Sequence, residues 1–161
     1  MQLHPDLLLA LNQINFLPRY EKIINQSSSS IEECLHSYSV EEVKTLIVSY
    51  GYKVSFNKKE NFFKILEEAD YYQFQFNISL RYGAVELIWD IMKEGKRLEF
   101  GWGSWGSVSD IMEPAKKLKT PVFSSYEVLK EILNQVLSIY EDFKQAIVAQ
   151  SLSSRSYLEN T

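Results

Sequence analysis

Asp90 and Glu99 are the two residues whose types and predicted placement come closest to a catalytic arrangement. Both lie in alternating stretches that predict neighbouring antiparallel strands, and the predicted register brings their Cβ atoms to about 4.5–5.5 Å. Two carboxyl groups that close raise the pKa of one of them, which is one way to make a general acid, and retaining glycoside hydrolysis uses a similar separation. Arg97 lies diagonally from Asp90, so we favour a solvated, salt-bridged sheet face over catalysis.

A glycine-rich segment, Gly101–Gly106, matches the G-x-G-x-x-G pattern of dinucleotide-binding loops. That function needs a parallel βαβ unit with a helix that begins at the third glycine. Here the preceding residues predict antiparallel hairpins, and Pro114 interrupts the residues that follow. We therefore interpret the segment as a strand end or bulge that carries Trp102 and Trp105. If Trp105 is exposed, it would serve as an anchor for a partner, because tryptophan is enriched in interface hot spots.

The cysteine and histidine content offers little further chemistry. One cysteine and two histidines exclude an intramolecular disulfide framework and a multi-cysteine zinc site. Cys34 and His36 are predicted to lie two residues apart on a helix, where their side chains point in different directions. The sequence thus predicts no catalytic residue, no metal site and no cofactor.

The composition is that of an ordinary globular domain. The 161 residues are 45% hydrophobic and 24% charged, and 17 basic against 21 acidic side chains give a formal net charge of −4. This balance lacks the basic excess of nucleic-acid-binding proteins, and no stretch approaches the roughly 18 apolar residues of a membrane span. We expect a cytoplasmic protein that binds neither nucleic acid nor membrane, with a single domain over residues 1–150 and a flexible tail over residues 151–161.

The middle of the chain predicts an antiparallel meander. Apolar and polar residues alternate over Tyr72–Leu80, over Val85–Ile91 and again over Leu98–Trp102, which is typical of strands with one buried face. Two-residue turns at Tyr82-Gly83 and Glu94-Gly95 place the apolar residues of neighbouring strands on the same face. The resulting register pairs its apolar residues as Ile78 with Leu87, Phe76 with Trp89, and Trp89 with Phe100.

Short helices precede this meander and a long helix follows it. Tyr52–Asn57 predicts a first strand, whereas Phe62–Ala69 fits either a helix or a strand, and we favour a short helix. Ser39 with Glu42, and Ser124 with Glu127, have capping-box spacing, and apolar residues at 3–4 spacing predict a helix from Ser125 to Ala149. The predicted fold is α+β: N-terminal short helices, an antiparallel meander of about four strands, and a long C-terminal helix packed on one sheet face.

The polar face of the meander is the predicted partner-binding surface. It carries hydrogen-bonding and charged side chains on a rigid sheet, a combination that can recognise a surface without doing chemistry. Carboxylates at Glu67, Glu68 and Asp70 would meet a basic cleft and speed association. The residues that we predict to contact a partner are Gln75, Asn77, Arg81, Glu86, Asp90, Arg97, Glu99 and Trp105.

This order of elements resembles that of the immunity proteins of bacterial polymorphic toxin systems. The features that carry the resemblance are the strand segments Tyr72–Leu80 and Val85–Ile91, the hairpin at Glu94-Gly95, and the segment Gly101–Trp105. The resemblance implies a bacterial, non-enzymatic protein that binds and neutralises a cognate toxin domain. We expect it to be a monomer or a homodimer.

Two other functions stay open on the sequence alone. A small-molecule-binding protein or small enzyme would place a cavity with convergent polar groups between the sheet and the C-terminal helix. A structural or oligomerisation module would use the long helix as its interface.

Overall fold

The computed structural model describes residues 2–27, 31–98 and 103–159; for residues 31 and 151–159 it describes the backbone alone. The fold is α+β: in chain order, short N-terminal helices precede an antiparallel sheet and a long C-terminal helix follows it, and the N-terminal helices pack with the long helix on the same side of the sheet. A turn of 3₁₀ helix, Ile31–Glu33, lies between the N-terminal helices. In chain order the elements are α1 (Pro5–Gln13), α2 (Phe16–Gln26), α3 (Val40–Ser49), β1 (Ser55–Asn57), β2 (Phe62–Ala69), β3 (Tyr72–Ser79), β4 (Glu86–Lys93), β5 (Lys96–Arg97), β6 (Gly103–Ser104), α4 (Trp105–Met112) and α5 (Tyr126–Glu159).

The helix starts follow from local sequence. Ser39 caps α3, since its Oγ accepts a hydrogen bond from the backbone N–H of Glu42 at 3.3 Å, as the capping-box spacing predicts. Pro18 lies in the first turn of α2, where its missing N–H removes no helical hydrogen bond. The start of α5 is one residue later than predicted, because Ser125 rather than Ser124 accepts from the N–H of Val128, at 3.2 Å.

The prediction of a helix over Phe62–Ala69 is wrong, because these residues form strand β2. Phe63 and Ile65 are buried on one face, while Leu66 faces outward and is exposed. Glu67 faces inward, where Tyr140 and Lys144 satisfy its carboxylate. At Leu66 an apolar side chain faces solvent, and at Glu67 a charged side chain faces inward. The sequence of β2 therefore shows no simple alternation of apolar and polar residues.

The sheet has six strands instead of the predicted four or so. Its order is β1-β2-β3-β4-β5, with β6 paired to β4, and every strand pair in the described ranges is antiparallel. An antiparallel sheet does not provide the parallel unit that dinucleotide binding at Gly101–Gly106 requires. The first strand is also shorter than predicted, since β1 contains only residues 55–57.

Both predicted hairpin turns are present. Tyr82 and Gly83 have φ values of 56° and 75°, and Glu94 and Gly95 have φ values of 53° and 80°. Positive φ at both central residues is the signature of a type I′ turn, whose twist matches that of the flanking strands. The N–H of Ala84 closes the first turn on the carbonyl of Arg81 at 3.0 Å.

The predicted register is confirmed between β3 and β4, where Ile78 pairs with Leu87 and Phe76 with Trp89. It also holds at the second turn, where the N–H of Leu98 donates to the carbonyl of Ile91 at 2.9 Å. It does not continue to the predicted partner of Trp89, because Trp89 pairs with Gly103 in β6. Phe100 itself lies outside the described residues.

The long helix α5 covers one face of the sheet, as the spacing of its apolar residues predicts. Phe143 stacks on Trp89 with ring centroids 4.1 Å apart, and Tyr140 stacks on Phe76 at 4.6 Å. The helix continues to Glu159, so the segment predicted as a tail is helical up to that residue. The predicted stripe is fully buried, with Leu129, Ile132, Val136, Ile139, Phe143 and Ile147 all in the core.

Candidate functional site

The face of the sheet that points away from α5, here called the outer face, carries most of the predicted partner-binding residues. Phe76 and Trp89 are buried under α5. Because side chains alternate along a strand, the residues next to them in β3 and β4 point outward. The structure places four predicted residues at outward positions of β3 and β4, one in β5, and one in the turn that joins β3 to β4. These six are Gln75, Asn77, Glu86, Asp90, Arg97 and Arg81.

Asp90 and Arg97 form an ion pair on the outer face. The guanidinium Nη2 of Arg97 lies 2.7 Å from Oδ2 of Asp90, as their predicted diagonal placement requires. Gln75 lies directly opposite Asp90 on β3 and donates from Nε2 to Oδ1 of Asn77 at 3.2 Å. Glu99, the second carboxylate of the predicted acid pair, lies outside the described residues. The described part of this face is thus a salt-bridged and hydrogen-bonded surface.

Apolar side chains interrupt the polar residues of the outer face. Leu66 is 49% exposed and Ile88 is 38% exposed, and Met92 is half-buried on the same face. The pairing places Leu66 opposite Gln75, and Ile88 opposite Asn77. Sequence reasoning missed these residues because β2 was interpreted as a helix, and because an alternating pattern draws attention to its buried positions. The outer face is therefore a mixed apolar and polar surface.

A groove of about 290 Å³ lies on the outer face at the end next to the Tyr82-Gly83 turn. Three of its residues belong to the predicted partner-binding set, and the remaining ones come from β2, β3, β4 and the turn before β2. Its full lining is Glu60, Phe62, Asn77, Ser79, Arg81, Glu86 and Ile88.

Trp105 is not an exposed anchor, because only 1% of its surface is accessible. Ser104 caps α4 through the N–H of Ser107 at 3.1 Å, and the helix then turns the indole of Trp105 into the core. There its ring lies 5.2 Å from that of Phe16 and 5.0 Å from that of Trp89. The prediction that Trp105 contacts a partner directly is therefore wrong, and its role is packing.

The predicted acidic residues divide into two groups. Glu67 points inward and is 2.7 Å from Nζ of Lys144, and the hydroxyl of Tyr140 donates to it at 2.8 Å. Glu68 and Asp70 are exposed. The carboxylates of Glu68 and Asp70 are therefore accessible to a partner, whereas Glu67 is half-buried and already paired within the fold.

A charged cluster closes the core where α5 meets β2. Lys144, whose side chain is 12% exposed, bridges Glu67 and Glu141 and lies 5.0 Å above the ring of Tyr140. Tyr52 donates to Oε2 of Glu141 at 2.7 Å. Burial opposes ionisation of Glu141, but hydrogen bonds from Lys144 and Tyr52 outweigh it and lower its pKa.

The phenols of this cluster are weak acids, although both donate hydrogen bonds. Burial, followed by the hydrogen bond to Glu67, raises the pKa of Tyr140 far above its usual value of 10.0. Burial and the bond to Glu141 do the same for the pKa of Tyr52. A phenol that binds its proton this firmly is unsuited to acid–base catalysis near neutral pH, so the cluster fits a structural role. Sequence reasoning missed it because its members are far apart in the chain.

Cys34 is buried in a loop rather than on the predicted helix, since only Ile31–Glu33 forms a turn of 3₁₀ helix there. Its thiol donates to the carbonyl of Tyr82 at 3.1 Å, and its Sγ lies 4.0 Å from Nε2 of His36. Gly83 packs directly against it, because a Cβ at that position would lie 2.5 Å from Cβ of Cys34. The thiol therefore anchors the turn at the end of the outer face.

The region between the sheet and α5, where the alternative function requires a cavity, is occupied by aromatic rings. Besides the stacked pairs of Trp89 with Phe143 and Phe76 with Tyr140, Phe74 meets Phe143 edge to face at 6.5 Å. Residues 2–27, 31–98 and 103–159 contain no group of three His, Cys, Asp or Glu side chains that could hold a metal ion. Within these ranges no helix has the length and apolar character needed to cross a membrane.

Comparison with known proteins gives no relative: no protein-family model, no curated protein and no solved structure matches this chain.

Proposed function

We propose that this chain is a non-enzymatic protein-binding module, and specifically an immunity protein that binds and neutralises a bacterial toxin domain. The observation that carries the binding function is the outer face of the sheet, where Leu66 and Ile88 are exposed among polar and charged side chains. Protein interfaces combine apolar contacts with a polar surround in this way.

The outer face is presented on a rigid support. Strands β2, β3 and β4 pair along almost their whole length, and their inner side chains are fixed by the aromatic packing under α5. A surface that is already ordered loses little conformational entropy when it binds. This favours recognition of a folded partner by a preformed surface.

The chemistry of the described residues supports binding over catalysis. Asp90 is paired with Arg97 through Oδ2, and the half-buried Glu67 is satisfied by Lys144 and Tyr140. A catalytic carboxyl group would need to face substrate with its proton free to move. The proposal that the partner is a toxin domain rests on the order of elements, which resembles that of immunity proteins.

The acidic residues on this side suggest what the partner surface carries. Glu68 and Glu86 are exposed on the outer face, and Asp70 is exposed in the turn after β2. A basic partner surface would be complementary to them, which increases the association rate. A toxin whose active cleft binds an anionic substrate would present such a surface.

A tagged pull-down from the native cell, followed by mass spectrometry of stoichiometric partners, tests the proposal. We expect one tight partner that contains a toxin domain, and we expect co-expression of the chain to restore growth to cells that express that domain. A partner with no toxic activity would contradict the immunity function. Recovery of the chain without a stoichiometric partner, under conditions in which candidate toxins are expressed, would contradict the protein-binding function as well.

A further inference from the structure

The groove next to the Tyr82-Gly83 turn has carboxylates that the fold itself does not use. Glu60 and Glu86 both line it, and neither side chain forms an ion pair with another side chain in the described ranges. By contrast, Glu67 and Asp90, elsewhere on the sheet, are paired with Lys144 and Arg97. The two groove carboxylates are thus available to a charge from outside.

The groove also offers apolar contact. Phe62 and Ile88 line it together with the carboxylates, and Ile88 is among the exposed large hydrophobic residues of the chain. A long basic side chain has both features that this lining complements, since its methylene stem packs on apolar surface while its charged end stays at a polar rim. An aromatic ring such as that of Phe62 also attracts a cation placed over its face.

We infer that this groove receives a lysine or arginine side chain of the partner protein. This inference rests on the proposed function, because it assigns one contact within the proposed interface. The volume of about 290 Å³ is at the lower limit of the roughly 300–1,000 Å³ of small-molecule sites, which fits one side chain better than a separate ligand.

Among the described residues that line the groove, Arg81 is the only basic one; Lys64 lies opposite Asn77 on β2 but does not line the groove. One guanidinium against two carboxylates leaves a formal charge of −1, which favours a cation over a carboxylate from the partner. Asn77 and Ser79 add neutral hydrogen-bonding groups that can accept from an ammonium or guanidinium.

NMR titration of the ¹⁵N-labelled chain tests the inference without the partner. The probes are N-acetyl-lysine methylamide and N-acetyl-arginine methylamide, with the norleucine and glutamate analogues as uncharged and anionic controls. We expect the basic probes to shift the amide resonances of Asn77, Ser79 and Ile88 with millimolar affinity, and the control probes to bind more weakly.

The double variant Glu60→Gln/Glu86→Gln removes both charges while keeping the side-chain shape. We expect it to weaken binding of the basic probes by roughly twofold to thirtyfold, the combined range for two exposed ion pairs. Glu68→Gln, on the same face but outside the groove, is the matched control and should leave the affinity unchanged.

Three results would overturn the inference: no shift at the groove with the basic probes, equal binding of norleucine and lysine analogues, or unchanged affinity in the double variant. None of them affects the proposed function, since the pull-down detects a partner whichever side chain enters the groove. A missing partner together with a positive titration would instead contradict the proposed function alone.

Discussion

Phe143 of α5 stacks on Trp89 of β4, with ring centroids 4.1 Å apart and ring planes 13° apart. This contact packs the long helix against the centre of the sheet. Because side chains alternate along β4, burying Trp89 on the inner face turns its neighbours Ile88 and Asp90 outward. The packing of the core and the exposure of the candidate interface are therefore consequences of the same register.

Loss of the Phe143 ring should destabilise the fold. We expect Phe143→Ala to lower the free energy of unfolding by about 3–5 kcal/mol, the usual cost of removing a buried phenylalanine ring. Urea denaturation followed by circular dichroism measures this change. Val48→Ala, at an exposed position of α3, is the control and should change stability by no more than about 0.5 kcal/mol. Equal stability of the two variants would contradict the described packing.

Trp105→Ala should act on stability, as expected for a core residue. Its indole is buried against Phe16, Tyr20 and Trp89, so we expect a loss of about 3–5 kcal/mol in urea denaturation. Tyr82 is the most exposed large hydrophobic residue described. Tyr82→Ala also removes an aromatic ring, but one that lies in solvent, so it should lower the free energy of unfolding far less. A variant of Trp105 with unchanged stability but weakened partner binding would show that the ring is an interface anchor after all.

Gly83 and Gly95 form a matched pair for testing the turn next to Cys34. Both have positive φ, 75° and 80°, so alanine at either position adds backbone strain of about 1–2 kcal/mol. Only at Gly83 would the new Cβ also lie 2.5 Å from Cβ of Cys34, whereas nothing lies within 4 Å at Gly95. We expect Gly83→Ala to lower the urea midpoint more than Gly95→Ala. The reverse order would exclude close packing of Cys34 on the turn.

The charged cluster at Lys144 should make stability depend on pH in the acid range. The pKa of Glu141 is lowered from 4.5 in the folded state, so the unfolded chain binds its proton first as the pH falls. The stability that Glu141 contributes is thus present above pH 4.5 and decreases as the pH drops through its folded pKa.

Urea denaturation across this pH range, on the wild type and on Glu141→Gln, measures that contribution. We expect the variant to show a shallower decrease in stability with acid than the wild type. Glu131→Gln, at an exposed position of the same helix beyond its first turn, controls for the loss of one carboxylate and should keep the wild-type slope. If the two variants have the same slope, the cluster does not stabilise the ionised form of Glu141.

The sequence predicted those parts of the fold that depend on short-range patterns. Strands β3 and β4, their register and both two-residue turns follow from alternation and from glycine at the second turn position. The buried stripe on α5 follows from the 3–4 spacing of its apolar residues. Because the register of β3 and β4 is the predicted one, six of the eight predicted binding residues lie on or beside one face of the sheet.

The errors concern features that depend on distant residues. β2 was interpreted as a helix because Glu67 occupies an inward position, which is tolerable only with Lys144 and Tyr140 beside it. The burial of Trp105 requires Phe16 and Tyr20 from α2, and no local pattern connects these segments. The groove is formed by residues from three strands and two turns, so it is visible only after they pair.

The most direct test of the protein-binding function compares Ile88→Lys with Val48→Lys. Both change an exposed β-branched residue, 38% accessible on the outer face and 55% accessible on α3, and both add one positive charge, which a basic partner surface would repel. After melting curves show that each variant is folded, the affinity for the partner recovered by the pull-down is measured by calorimetry. We expect Ile88→Lys to weaken binding at least about tenfold, equivalent to roughly 1.4 kcal/mol, and Val48→Lys to bind like the wild type. Wild-type affinity in folded Ile88→Lys would contradict the account that the outer face of the sheet is the binding surface.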